Sequence, residues 1–259
     1  MKLISIDLKS NFGFFKKPDI NDSIYLTYNM IHKLALLGLL GAILGLEGHR
    51  SYGKLPEYYL ELQKERKLQI GIEPIGKWQK NGNFEKTTVK YNNATGHASA
   101  GTLNILEQIL IKPAYRIYLE LDENEELFRK LENHEAIFIP YLGKNDFSCW
   151  WENFKEDHGN VTNISSETFK IKTIFRKPKD TTLSELREQI AFGFIAGMRE
   201  KAEAVFSQFE RLPTGFNEEL KQYSEPEEFV YTNMKFTKDK FSTDKNFKQL
   251  ENGNVVYLF

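Results

Sequence analysis

With 259 residues, 41% hydrophobic and 27% charged, the chain is long enough to bury roughly three quarters of its unfolded surface in one or two packed domains. Its single cysteine, Cys149, excludes an internal disulfide and the thiolate pairs of a zinc site, and points to a reducing, cytoplasmic setting. The net charge of −1 argues against a simple nucleic-acid coat, which needs a surplus of cations, but residues 1–121 carry 16 Lys and Arg against 11 Asp and Glu, while residues 122–259 carry 19 against 25. A polyanion is therefore expected to prefer the first half, and the acidic second half to face protein neighbours.

Ile4, Ile6 and Leu8 alternate with polar neighbours, a strand pattern over Leu3–Leu8 with neither the apolar stretch nor the cleavage site of a signal peptide. The sequons at Asn160 and Asn163 then carry no weight. Next comes Phe12-Gly13-Phe14-Phe15-Lys16-Lys17, rings beside ammonium groups at the end of the strand. Unstacked bases lie on aromatic faces at about 1 to 3 kcal/mol each while lysines meet phosphates. The same residues also suit a core aromatic cluster with two solvated lysines.

A helix is predicted from about Met30 to Leu46. Its apolar part, Leu34–Leu46, is too short to span a membrane, which needs about twenty residues, so it must be buried in protein. At about 100° per residue, Gly38, Gly41 and Gly45 fall within roughly 60° of one another, with Ala35 and Ala42 beside them. Three interior glycines cost about 3 kcal/mol in helix propensity. Close approach of another protein backbone, or of a ligand backbone, would compensate, and both readings stay open. Tyr28, His32 and Lys33 at the helix start and Arg50 after it add donors near an end whose main-chain N–H groups favour phosphate.

Further strands are predicted at Leu68–Ile72, Thr87–Tyr91 and Tyr115–Leu121, and a helix at Glu125–Glu132, where Leu127 and Leu131 have i, i+4 spacing. This order predicts an α/β (α+β) fold with a ferredoxin-like sandwich over residues 1–150. The polar, glycine-punctuated stretch Gly76–Gly101 reads as a projecting hairpin with Thr87–Tyr91 on its returning side, or as a surface loop. After Phe147 the pattern changes to a polar segment, Glu152–Glu167, and a strand, Phe169–Phe175. A long helix, Leu183–Phe209, is then ended by Pro213 and Gly215, and a strand Phe229–Phe236 and the apolar Val255–Phe259 follow. Residues 151–259 are thus expected to form a smaller sheet-and-helix region.

No metal or cofactor is expected. His32, His49, His97, His134 and His158 have neither HxxxH nor HxH spacing, and Gly38, Gly41 and Gly45 lie inside a helix without the Lys-Ser/Thr ending of a phosphate loop.

Tyr28 followed by Leu-Ala-Leu-Leu-Gly-Leu-Leu-Gly-Ala-Ile-Leu-Gly over Leu34 to Gly45 resembles the amino-terminal signature of the CRISPR-associated Cas-five family, particularly its type I-B branch. Phe14-Phe15-Lys16-Lys17-Pro18, the run Lys112 to Tyr118, and Pro140 to Asn145 fall in that family's order. The resemblance spans residues 1 to about 147, with the helix as its specific element. It implies an RRM-like ferredoxin fold, a β-hairpin thumb at Gly76–Gly101, and a non-catalytic subunit of type I Cascade that binds the repeat-derived 5′ handle of crRNA and caps the backbone filament in antiviral defence. The partners it implies are that handle, Cas-seven backbone subunits, the large Cascade subunit and, through the complex, target DNA near the PAM end.

Carried over by position, Phe14, Lys16, Lys17, Tyr28, Lys33, Gly38 and Gly41 line the handle groove. Phe15, Arg50, Lys112, Tyr115, Arg116 and Lys144 complete the expected RNA-binding set. The chain departs from the family at Asn29-Met30-Ile31-His32, where members often have prolines. One branch of the family cleaves repeat RNA by metal-independent acid-base chemistry. Its Lys-His dipeptide is absent here; were this chain a nuclease, Tyr28, His32 and Lys33 would be the catalytic trio. A third reading is a purely structural subunit whose glycine helix docks another protein.

Overall fold

The computed structural model describes residues 1–18, 24–49, 53–94, 102–157, 164–178, 205–238, 241 and 244–259. In chain order its elements are β1 (Lys2–Ser10), β2 (Phe12–Gly13), β3 (Ile24–Tyr25), α1 (Lys33–Leu44) and α2 (Glu57–Tyr59), the last continued by a π-helical turn (Leu60–Glu65). Then come β4 (Ile70–Pro74), β5 (Gln79–Lys80), β6 (Asn83–Phe84), β7 (Lys86–Ala94), β8 (Thr102–Ile111), β9 (Ala114–Leu121), α3 (Glu126–Glu132) and β10 (Cys149–Asp157). The later strands are β11 (Thr168–Lys170), β12 (Phe175–Arg176), β13 (Ser207–Leu212), β14 (Glu227–Thr232), β15 (Lys235–Thr237), β16 (Phe247–Gln249) and β17 (Val255–Tyr257). The fold is a sheet-dominated α+β arrangement with few helices and several small sheets.

The principal sheet has the order β10-β1-β9-β4, with every neighbouring pair antiparallel. Alternation sorts its side chains. Ile4, Ile6 and Leu8 of β1 and Ile117, Leu119 and Leu121 of β9 join the main core cluster, which also holds Leu36, Leu40 and Ile43 of α1 and Leu127 and Leu131 of α3. Leu3 and Tyr118 turn the other way, into a second cluster with Leu250, Val256 and Leu258. The segment around β17 therefore covers part of the opposite face, and Ile70 and Phe259 exchange main-chain hydrogen bonds along the β4 edge. Phe175, Phe229 and Phe236 belong to the same main cluster as α1, so one buried core runs through both halves of the sequence.

Three expectations are corrected. The sequence reads Glu152–Glu167 as a polar segment with no strand, yet Cys149–Asp157 is a full strand against β1. The register shifts between Ser5 and Asp7, and Asn153 there has φ 54. This bulge puts Trp151 and Phe154 on the core side at a spacing of three, which hides the period of two that marks a strand. The hairpin is displaced as well: β7 and β8 pair in unbroken register from Lys86↔Leu110 to Ala94↔Thr102, so Thr87–Tyr91 lies on the outgoing arm and not on the returning side, and residues 95–101 lie outside the described residues. Finally, most of the long predicted helix lies outside the described residues, but its expected end is extended. Ser207–Leu212 pairs with Glu227–Thr232, and Phe209 there packs on the main core, an instance of sheet pairing overriding local helical spacing.

Candidate nucleic-acid interface

The aromatic-cationic segment is fixed by hydrogen bonds on both sides. Phe14 donates its N–H to Leu142 O at 3.1 Å, Lys17 to Leu26 O at 2.9 Å, and Tyr28 to Phe15 O at 2.8 Å, while Phe15 N–H donates to Thr27 Oγ1 at 2.9 Å. Residues 14–17 thus lie between residues 25–28 and the turn at 142–143. The Tyr25 ring sits 3.6 Å from Lys16 Nζ, a cation–π contact that orients the ammonium.

His32 begins the helix as its N-cap, with Nδ1 accepting from Ala35 N at 3.2 Å. Phe15, Tyr28 and Tyr223 surround its ring edge-on at 6.0, 5.6 and 5.4 Å. Burial pulls its imidazole down to about 3, so the side chain is a neutral cap. Lys33 is buried too, donating to the main-chain oxygen of Phe259 at 2.6 Å. Burial lowers its ammonium to about 8, Arg176 adding to the fall and Glu227 opposing it.

The three helix glycines have three different causes. Gly45 has φ 82 and closes the helix, its N–H turned back to Ala42 O and Gly41 O, the left-handed cap that glycine adopts without strain. Gly41 admits the base of the Tyr58 side chain on α2: a Cβ there would lie 2.5 Å from Tyr58 Cβ. At Gly38 the nearest atoms are those of the Tyr58 ring, 3.6 Å from a would-be Cβ, an ordinary contact. Gly41→Ala is therefore expected to cost about 1–3 kcal/mol through overpacking. Gly38→Ala should be neutral or gain up to about 1 kcal/mol of helix propensity. Thermal melts of the two variants check the pair.

Beside this helix opens a cleft of about 1040 Å³. Ala35, Gly38 and Ala42 form its floor, one helical stripe at i, i+3 and i+7, and Lys16 and the largely buried Phe14 and Phe15 also line it. Phe138, Ile139 and Tyr141 form another part of its wall, and at 54%, 77% and 46% exposure they present apolar surface to whatever enters. Phe216 and Tyr223 reach in from the second half of the chain. Lys144 and Glu107 also line the cleft, with Lys144 Nζ 2.7 Å from Glu107 Oε2 and 4.0 Å from the Tyr91 ring centre. Burial works against its charge, but the hydrogen bond and attraction of Glu107 hold it above the ordinary lysine value.

The fold brings Phe14, Phe15, Lys16, Gly38 and Lys144 to one cleft. Tyr28 and Lys17 lie next to it, Lys17 Nζ 5.3 Å from the Tyr28 ring. Other expected site residues fall elsewhere. Tyr115 has 0% exposure and spends its hydroxyl on Asn29 O at 2.8 Å, Gly41 is sealed by Tyr58, and buried Lys33 faces Phe259; for these three, burial removes the surface a groove residue needs, and Phe14, Phe15 and Tyr28, at 6%, 2% and 5% exposure, are core rings that show little of their faces. Arg116 pairs with Asp7 at 2.7 and 3.0 Å, Lys112 stands 4.6 Å from the Trp78 ring, and neither lines the cleft. Arg50 lies outside the described residues. Sequence reasoning missed Tyr58, Phe138, Ile139, Tyr141, Phe216 and Tyr223. The exposed apolar run Ile137-Phe138-Ile139 was the one signal that could have pointed to this wall.

No family model and no curated protein matches the sequence. Among solved structures the chain is similar to a chain of a CRISPR RNA-guided surveillance complex, with 11% identity, 92% of this chain and 93% of that one covered, and a TM-score of 0.46. It is also similar to a CRISPR protein from Archaeoglobus fulgidus, with 14% identity, coverage of 99% and 98%, and a TM-score of 0.43. A chain of the type III-B Cmr-beta structure bound to cognate target RNA and AMPPnP aligns with 10% identity, coverage of 92% and 86%, and a TM-score of 0.48. Among the described residues no helix is long and apolar enough to cross a membrane.

Proposed function

We propose that this protein is a non-catalytic RNA-binding subunit of a CRISPR surveillance complex, of the Cas-five type, that seats the 5′ handle of crRNA in the cleft beside α1. The observation that carries this reading is the gathering of Phe14, Phe15, Lys16, Gly38 and Lys144 around one cleft, because these residues of the expected RNA-binding set come from three separate segments of the sequence. The exposed rings of Phe138 and Tyr141, the ammonium groups of Lys16 and Lys144 and a helix stripe of small residues suit a single strand whose bases stack while its phosphates meet cations. The strand order β10-β1-β9-β4, with residues of both α1 and α3 packed on one face, supports the ferredoxin-like, RRM-like reading of the first half. The β7–β8 hairpin is then the thumb, and Cas-seven and large-subunit contacts are the protein partners this role requires.

Non-catalysis is part of the proposal. A general base must take a proton near its working pH, and an imidazole held near 3 that already caps a helix is better suited to structure. Binding of a labelled single-stranded RNA of about ten nucleotides, followed by anisotropy across a salt series in chelator, tests both claims. The RNA is expected to stay intact, and Lys16→Ala to weaken binding and reduce the log-log salt slope by about 0.7, the share of one phosphate contact on a single strand. Salt-insensitive binding, or cleavage lost on His32→Ala, would overturn the assignment.

A further inference from the structure

The link between residue 28 and α1 carries no proline, and its shape is set from outside. Asn29 N–H and Met30 N–H donate to the two carboxylate oxygens of Glu210 at 2.8 and 2.9 Å. Asn29 Nδ2 donates to Gly82 O at 2.6 Å, and its Oδ1 accepts from Phe84 N at 2.8 Å and Lys86 Nζ at 3.1 Å. Its main-chain carbonyl accepts from Tyr115 Oη at 2.8 Å. Partners from β13, the β5–β6 hairpin, β7 and β9 thus converge on one two-residue turn. That turn leads directly to Tyr28 on one side and to the His32 cap and cleft-floor helix on the other.

We propose that Glu210 is a positioning residue for the RNA cleft: by holding the Asn29–Met30 turn, the second half of the chain sets the angle at which α1 presents its floor. This rests on the reading of the cleft as an RNA site. Glu210 does not line the cleft, so it acts through the main chain and not by touching the ligand. Two buried N–H groups would lose a charge-assisted acceptor on its removal, which is costly where water cannot replace it. Gly82 is part of the same contact: a Cβ there would overlap the Tyr231 ring, so the β5–β6 turn is held close to the sheet that carries Glu210.

Electrostatics and positioning predict opposite signs, which makes the test sharp. Deleting an acid near a polyanion site should tighten binding, whereas losing the turn should weaken it. With the same labelled RNA and the full-length chain, Glu210→Ala is expected to bind about tenfold more weakly, with the salt slope unchanged because no phosphate contact is lost. Hydrogen exchange should quicken over residues 28–36 and stay slow in β1 and β9. Glu210→Gln, which keeps the side-chain shape and one acceptor, is expected to fall between wild type and alanine in both measurements and guards against a misfolded alanine variant. Equal or tighter RNA binding by folded Glu210→Ala, or unchanged exchange over residues 28–36 in both variants, overturns the positioning role. If wild type binds no RNA, the proposed function fails with it, and the exchange result alone decides whether Glu210 holds the turn.

Discussion

Gly143→Ala will destabilise the protein by at least about 3 kcal/mol, the sum of a left-handed backbone penalty of about 1 kcal/mol and severe overpacking. Gly143 has φ 83, and a Cβ on it would fall well inside the van der Waals shell of Phe14 O and close to Phe14 C. Those are backbone atoms with no rotamer to escape into. The contact is where the 142–143 turn closes on the aromatic-cationic segment, and Lys144 follows immediately, so relief can come only by moving Phe14 away from Lys144. Gly253→Ala is the control: its φ is 78, but nothing lies within 4 Å of its would-be Cβ, so it should cost only the conformational part. Urea melts of both variants check the difference. Equal losses would show that steric closure at Phe14 contributes nothing.

The second large effect is on pH. His32 sits near 3 in the folded protein because burial disfavours the imidazolium, against about 6.5 in an unfolded chain. Below about 6.5 the unfolded chain takes up a proton at this residue and the folded protein does not, so stability from His32 is complete above that pH and drains as the pH falls towards 3. The slope is about 1.4 kcal/mol per unit, or about 2 kcal/mol lost between pH 6.5 and 5. His32→Asn retains a capping oxygen without the titration. It should start less stable at neutral pH for want of packing among Phe15, Tyr28 and Tyr223, but its curve should be flatter by that slope. Carboxylates shared by both proteins cancel in the difference. Parallel stability curves for the two proteins would refute the buried neutral cap.

Local pattern made much of the fold legible. Strict alternation marked β1 and β9, and an unbroken apolar run with a glycine at its end marked α1. The same logic failed where a strand carries a bulge, as at Asn153 in β10, and where short strands such as Ser207–Leu212 are extended only because Glu227–Thr232 lies alongside. At the site, the sequence nominated Phe14, Phe15, Lys16, Gly38 and Lys144 by residue type and order. It also nominated Tyr115 and Lys33, which chemistry recommends and burial removes from any surface.

What the chain determines by itself is periodicity, the side-chain-poor stripe on α1 and the pairing of rings with cations, because those depend on neighbours a few residues apart. Only the tertiary structure decides which glycine admits Tyr58 and which one floors a cleft, that Lys144 meets Glu107, and that Glu210 grips the turn at Asn29 from 181 residues away. Burial and hydrogen-bond partnership are properties of segments brought together by the whole fold, and no local spacing encodes them.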